Sequence, residues 1–172
     1  MKRTVFCLFT LLFFFGLMTH ISAQITVVGH ITAEVVNALA ASETSQISFG
    51  QFSTDTTGGQ IIMTPDGTRS TTGDVKAIGG THYAGTIDVK GDPGAILSIQ
   101  LPSFPAILTN PSNSGTMSVT SWVSDPPQQG SVTIPASGKQ AINVGATLVV
   151  GSVHHNPIGI YNGTYSITFS YN

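Results

Sequence analysis

Apolar and polar residues alternate with a period of two along most of this chain. Ile87 and Val89 flank Asp88, Leu97, Ile99 and Leu101 alternate with Ser98 and Gln100, and Met117 and Val119 alternate with Ser118 and Thr120. Near the C-terminus Tyr165, Ile167, Phe169 and Tyr171 share one face while Ser166, Thr168 and Ser170 share the other. That period belongs to half-buried antiparallel strands. It predicts strands at Ile25–Val36, Gln46–Phe52, Gln60–Thr64, Asp74–Ile78, Ala84–Lys90, Ala95–Leu101, Thr116–Val123, Ser131–Ile134, Gln140–Val144, Thr147–Val150 and Gly163–Tyr171. Past residue 23, no stretch keeps a 3.6-residue apolar period for the roughly ten residues a helix needs. Ala33–Glu43, with its Ala, Leu and Glu, is a short-helix rival.

The punctuation between these runs is that of a sheet protein. Pro65-Asp66-Gly67 sets a fixed φ, a side-chain acceptor and a permissive φ in succession, as a tight turn requires, and Gly91-Asp92-Pro93-Gly94 does the same. Asn110–Gly115 is a wider polar connection, and Pro126-Pro127 excludes a central strand over Ser124–Gly130. Short strands with turns this regularly spaced predict an all-β sandwich or open barrel. Trp122 is expected to pack on the core with its indole nitrogen satisfied near an edge, the rival being an exposed ring that stacks on a glycan. Gly145 marks a bulge, bend or tight connection, and Tyr161 and Tyr165 are expected to set their rings in the core and their hydroxyls at its rim.

The N-terminus changes the compartment. Lys2 and Arg3 precede an apolar run from Val5 to Leu17, and Ile21-Ser22-Ala23 supplies a small residue before Gln24. This is the pattern of a signal peptide over residues 1–23, and the run is shorter than the ~20 apolar residues of a membrane span. Cleavage removes Cys7, the only cysteine, so a single domain over residues 24–172 is expected to stand outside the cell with no disulfide and no transmembrane anchor. Four basic residues remain, Arg69, Lys76, Lys90 and Lys139, against eight acidic ones. Without clustered Lys and Arg there is nothing to neutralise phosphates, which argues against a nucleic-acid partner.

The stock of reactive side chains forms no constellation. His154 and His155 are adjacent, so in a strand their rings point to opposite faces and cannot share one metal, and His30 and His82 are scattered. The aspartates fit no calcium loop, and Asp66 and Asp92 read as turn residues, with a loose surface calcium site as the rival. There is no Gly-x-Ser-x-Gly elbow, no phosphate-cradling glycine loop and nothing that selects a pair of carboxylates, so neither catalytic residues nor a cofactor are expected. Asn162-Gly163-Thr164 matches a glycosylation acceptor but reads as a turn former.

Short motifs follow one another along the chain: Ile47-Ser48-Phe49-Gly50, Pro65-Asp66-Gly67-Thr68-Arg69 followed by Thr72-Gly73-Asp74-Val75, Ala84–Gly91, Asn143-Val144-Gly145-Ala146-Thr147-Leu148, and the closing run Gly159–Asn172 with Tyr161, Gly163, Tyr165, Ile167, Phe169 and Tyr171. Their order resembles that of the domain of unknown function 4402 family of exported bacterial β domains. His154-His155-Asn156-Pro157 departs from the Ala- or Gln-rich residues expected there. The resemblance implies an antiparallel immunoglobulin-like β-sandwich with the look of pilin-like surface-fibre domains, and by analogy a secreted or cell-surface structural or adhesive role. In such a protein an extended segment near the mature N-terminus, with Ile25, Val27, Ala33 and Val35 as its apolar positions, is a candidate donor strand for self-association into filaments. The same segment could instead pair within its own subunit. A carbohydrate- or protein-binding module is the alternative function.

Overall fold

The computed structural model describes residue 25 and residues 27–172. The expected signal peptide and Cys7 lie outside the described residues, as does Thr26. The chain divides into two units at Val35 and Val36. In the first, residue 25 and residues 27–35 carry no helix or strand, so the strand predicted at Ile25–Val36 does not form. Alternation suits side chains to a strand, but a strand exists only where the main chain finds a ladder partner.

Val36–Asn172 is an antiparallel β-sandwich organised by its longest strand, β11 (Lys139–Val150). One side of β11 takes β6 (Gly85–Lys90) along residues 139–144 and then β3 (Gly59–Met63) along 146–150. Its other side takes β9 (Thr116–Asp125) along 143–149. Three further strands widen this sheet: β1 (Ala40–Ser45) beside β6, β4 (Arg69–Gly73) beside β3, and β8 (Ala106–Thr109) beside β9. The remaining strands form a three-stranded sheet in the order β10 (Val132–Thr133), β7 (Ile96–Gln100), β12 (Thr168–Tyr171), and a pair made of β2 (Gln51–Ser53) and β5 (Lys76–Gly79). Every pairing is antiparallel.

The even positions of β11, Ile142, Val144, Ala146, Leu148 and Val150, all point inward and are buried. Ile142 and Val144 join Ile87, Val89, Leu97, Ile99, Leu101, Val132 and Ile134 in one cluster. Ala146, Leu148 and Val150 join Ile61, Val75, Met117 and Val119 in a second, and Trp122 packs on both. Gly145 sits where β11 changes partner from β6 to β3. A Cβ there would stand 2.3 Å from the Met63 carbonyl oxygen, so the residue permits a close approach of two main chains.

Trp122 reaches the core through a bulge. Ser121 and Trp122 stand opposite the single Ala146, and Ser121 takes a left-handed φ of 51°. The extra residue shifts the inward phase of β9 from Met117 and Val119 to Trp122.

Several elements depart from the pattern. The helix rival at Ala33–Glu43 gives way to β1, held by β6. The runs predicted at Gln140–Val144 and Thr147–Val150 are one continuous strand. Neither β4 nor β8 was signalled: Arg69–Gly73 has no apolar side chain and forms because the Pro65–Gly67 turn, closed by the Gly67 N–H on the Thr64 carbonyl at 2.9 Å, returns the chain along β3. The strand predicted at Gly163–Tyr171 keeps its facing but enters a ladder only from Thr168.

Replacing Gly145 by alanine is expected to destabilise the sandwich by about 1–3 kcal/mol, since two main chains must part. Gly130→Ala, whose Cβ would meet its nearest atom at 3.5 Å, should change stability by less than about 0.5 kcal/mol. Urea unfolding of the two variants checks the contrast.

Candidate functional site

The main chain between Gly163 and Ile167 has no backbone hydrogen bond among the described residues. Its neighbour on one side, β7, ends at Gln100, and the following Pro102 and Pro105 have no N–H to continue a ladder. On the other side opens a groove of about 1070 Å3. The opposite rim runs from Ala41 through Gln46–Gln51, where chain leaves β1 and crosses to β2, its main chain tied by the reciprocal Ser48–Tyr83 bonds of 2.9 and 3.0 Å.

The floor of the groove is the core itself. Ile87, Leu108, Met117, Val119, Trp122 and Leu148 line it, with Ile167 and Phe169 from the edge that leads into β12. At one end Ile158 and Ile160 are 95% and 74% exposed, and Ile78 is 68% exposed, so the apolar surface continues outward. Among the described residues, Glu43 is the single charged one in the lining.

Trp122 and Tyr165 stack within the groove, ring centroids 4.8 Å apart and planes 29° from parallel. The Trp122 Nε1–H is buried without an acceptor among the described residues, which corrects the expectation of a satisfied nitrogen. The Tyr165 hydroxyl donates to Glu43 Oε1 at 3.4 Å across the opening. Burial pushes this phenol up to about 12, and the Glu43 carboxylate adds to the shift by opposing a second negative charge. Tyr161 packs on the second core cluster and donates to the Pro157 carbonyl at 2.7 Å. Both tyrosines thus set rings inward and hydroxyls at the rim. Beyond the far end of the groove the Tyr171 hydroxyl accepts from the Asp92 N–H at 2.8 Å and donates to the Asn37 carbonyl at 2.9 Å, fixing the chain just before β1.

Of the motif residues singled out in the sequence, Phe49, Gly50, Tyr161, Gly163, Tyr165, Ile167 and Phe169 all come together in this lining. The Phe49 carbonyl accepts from Arg69 Nη1 at 2.8 Å, which holds the rim to β4. A Cβ on Gly163 would lie 2.4 Å from the Ile107 carbonyl oxygen, so the chain can press against β8 there. Gly67 and Gly145 serve the β3–β4 turn and the central strand instead. The donor candidates Ile25, Val27 and Val35 are 87%, 83% and 97% exposed, and Ala33 is exposed. Ile87, Met117, Val119 and Trp122 were legible as core positions and Leu108, on the unsignalled β8, was not; nothing in the alternation told which would be left uncovered.

The residues weighed for metal chemistry stay apart. His155 Nδ1 pairs with Ser152 Oγ at 2.9 Å, and Asn156 is buried, accepting from the Gly151 N–H at 2.5 Å and donating to the Thr116 carbonyl at 2.6 Å. Among the described residues no three His, Cys, Asp or Glu side chains gather, and no helix is long and apolar enough to cross a membrane.

Tyr165 holds its proton more tightly folded than unfolded, where a phenol titrates near 10.0. Its stabilising share is complete below that pH and is lost as the pH climbs from 10.0 toward about 12. The melting temperature should fall across that interval, and Tyr165→Phe should make the fall shallower, as thermal melts at a series of alkaline pH values would show.

No curated protein and no solved structure matches the chain. The family described as Domain of unknown function (DUF4402) matches residues 39–171, from the residue before β1 to the end of β12. With the whole sandwich inside that match, the chain belongs to the DUF4402 family.

Proposed function

We propose that the protein is an exported structural or adhesive component of the bacterial cell surface, a pilin-like fibre subunit that assembles by strand donation. The observation that carries this reading is the groove: an apolar floor made of core side chains, bordered by an extended main chain whose N–H and C=O groups lack backbone partners among the described residues. An added strand supplies what both parts need. Alternate side chains cover the floor, each worth about 1.5–3 kcal/mol when fully buried, and main-chain bonds satisfy the rim at about 1 kcal/mol net each. Strand addition of this kind joins unlike surfaces, so it propagates instead of closing into a dimer.

The stacked Trp122 and Tyr165 favour a second reading, a carbohydrate-binding groove. The first is preferred because Trp122 is committed to both core clusters and to Tyr165, and the floor of the groove is made of apolar core side chains, whereas a sugar site needs polar groups converging on hydroxyls. A catalytic reading has little to work with, since Glu43 is the lone charged residue there.

Negative-stain microscopy and unheated gels of the exported, processed protein test the proposal. Filaments and a ladder of species that resists urea are expected. A monodisperse monomer at high concentration would sink the assembly reading, and quenching of Trp122 by oligosaccharides in that monomer would establish the second one.

A further inference from the structure

The segment that precedes the sandwich has a property that the four donor positions alone do not capture. From residue 25 to residue 35 every odd position is apolar or glycine: Ile25, Val27, Gly29, Ile31, Ala33 and Val35. The even positions carry the polar groups, Thr26, His30, Thr32 and Glu34, together with Val28. In an extended chain the odd set forms one uninterrupted apolar face. Ile31 and Val35, each 97% exposed, lie on that face. A face of this kind has no use in water. Building on the assembly reading above, we infer that residues 25–35 of a second copy of this chain fill the groove, the odd-numbered face against the Trp122 floor and the main chain bonded to Gly163–Ile167.

Three observations fit that occupant. The segment has as many residues as the rim from Ala41 to Gln51. Its charge matches too: the groove floor carries no charged side chain, and the odd face carries none. Glu34 and His30 fall on the even face, which an inserted strand turns to solvent.

A second copy is favoured over the chain's own segment by the join. Asn37 is already held, its carbonyl by Tyr171 at 2.9 Å and its side chain by Asp92, and Leu39 packs on the core. To lie beside its own β1, the segment would have to reverse within Val36-Asn37-Ala38-Leu39, a stretch without glycine or proline. Tight reversals between antiparallel strands take left-handed φ values that valine, alanine and leucine resist.

The test uses Ile31→Asp, a substitution at an exposed site that leaves the sandwich intact, in the exported, processed protein. This variant should lose the filaments and the ladder while melting as a folded domain. Its groove is then open, and Trp122, the single tryptophan, reports on it. A synthetic peptide of residues 25–36 should shift Trp122 emission to shorter wavelength and raise the melting temperature. The same peptide with Ile31→Asp should bind at least about ten-fold more weakly, because a carboxylate meets an apolar floor, whereas Val28→Asp on the even face should bind nearly as well as the parent. Assembly that persists in the Ile31→Asp protein overturns this donor and leaves the assembly reading standing. Equal loss from the Val28 and Ile31 peptides overturns the register. No wild-type assembly and no peptide response overturn both proposals together.

Discussion

The sandwich depends on the two-sided ladder of β11. Its main chain is bonded to β6 and β3 along one edge and β9 along the other, and its even side chains enter both core clusters. Buried backbone polar groups must be paired, so a strand enclosed on both sides can carry a continuous apolar face without exposing an amide. Gly145 makes this economical: by letting the Met63–Pro65 main chain pass at close range, it allows one strand to serve two partners end to end. No disulfide lies among the described residues, so cohesion there rests on this ladder and the packing it organises.

The groove is where the ladder stops. Gly163–Ile167 has the facing of a strand, with Tyr165 and Ile167 turned inward, but makes no backbone hydrogen bond among the described residues. The prolines after β7 account for one side, and the departure of the chain from β1 toward β2 accounts for the other. Trp122, delivered by the Ser121 bulge, fills the junction between the core clusters and stacks on Tyr165, which limits how far the opening can collapse. Its unpartnered Nε1 belongs to the same unfinished region.

Much of this was legible in the alternation, and the failures have physical causes. β6, β7 and β9 were readable because each buries one face more deeply than the other, so the period of two is forced upon them; β11, whose Gly145 and Thr147 are buried as well, read as two shorter runs. β4 and β1 were not, because they lie outside the core-forming pairs and are held by the main chain of a neighbour rather than by apolar side chains of their own. Trp122 illustrates a subtler loss: Met117 and Val119 set an odd phase that Trp122 breaks, and that break was itself the mark of a bulge. The closing tyrosines, Gly163 and Phe49 were recognisable as a motif, but their convergence on one opening depends on which main-chain groups go unpaired, and side-chain periodicity carries no record of that. The segment at Ile25–Val36 fails in the opposite way, having a strand's pattern and no strand.

On the assembly reading, that last mismatch and the groove are complementary halves of one deficit. A ligand that binds only the folded state stabilises it in proportion to the logarithm of its concentration over the dissociation constant. A strand tethered in a growing fibre is present at high effective concentration, so each subunit's fold is reinforced by its neighbour. On that reading a module with an exposed floor is at its weakest when alone and gains stability as it assembles. The absence of a covalent staple from the sandwich is then intelligible, because the missing cohesion would come from the next molecule, tying the energetics of folding to those of assembly through a single set of main-chain bonds.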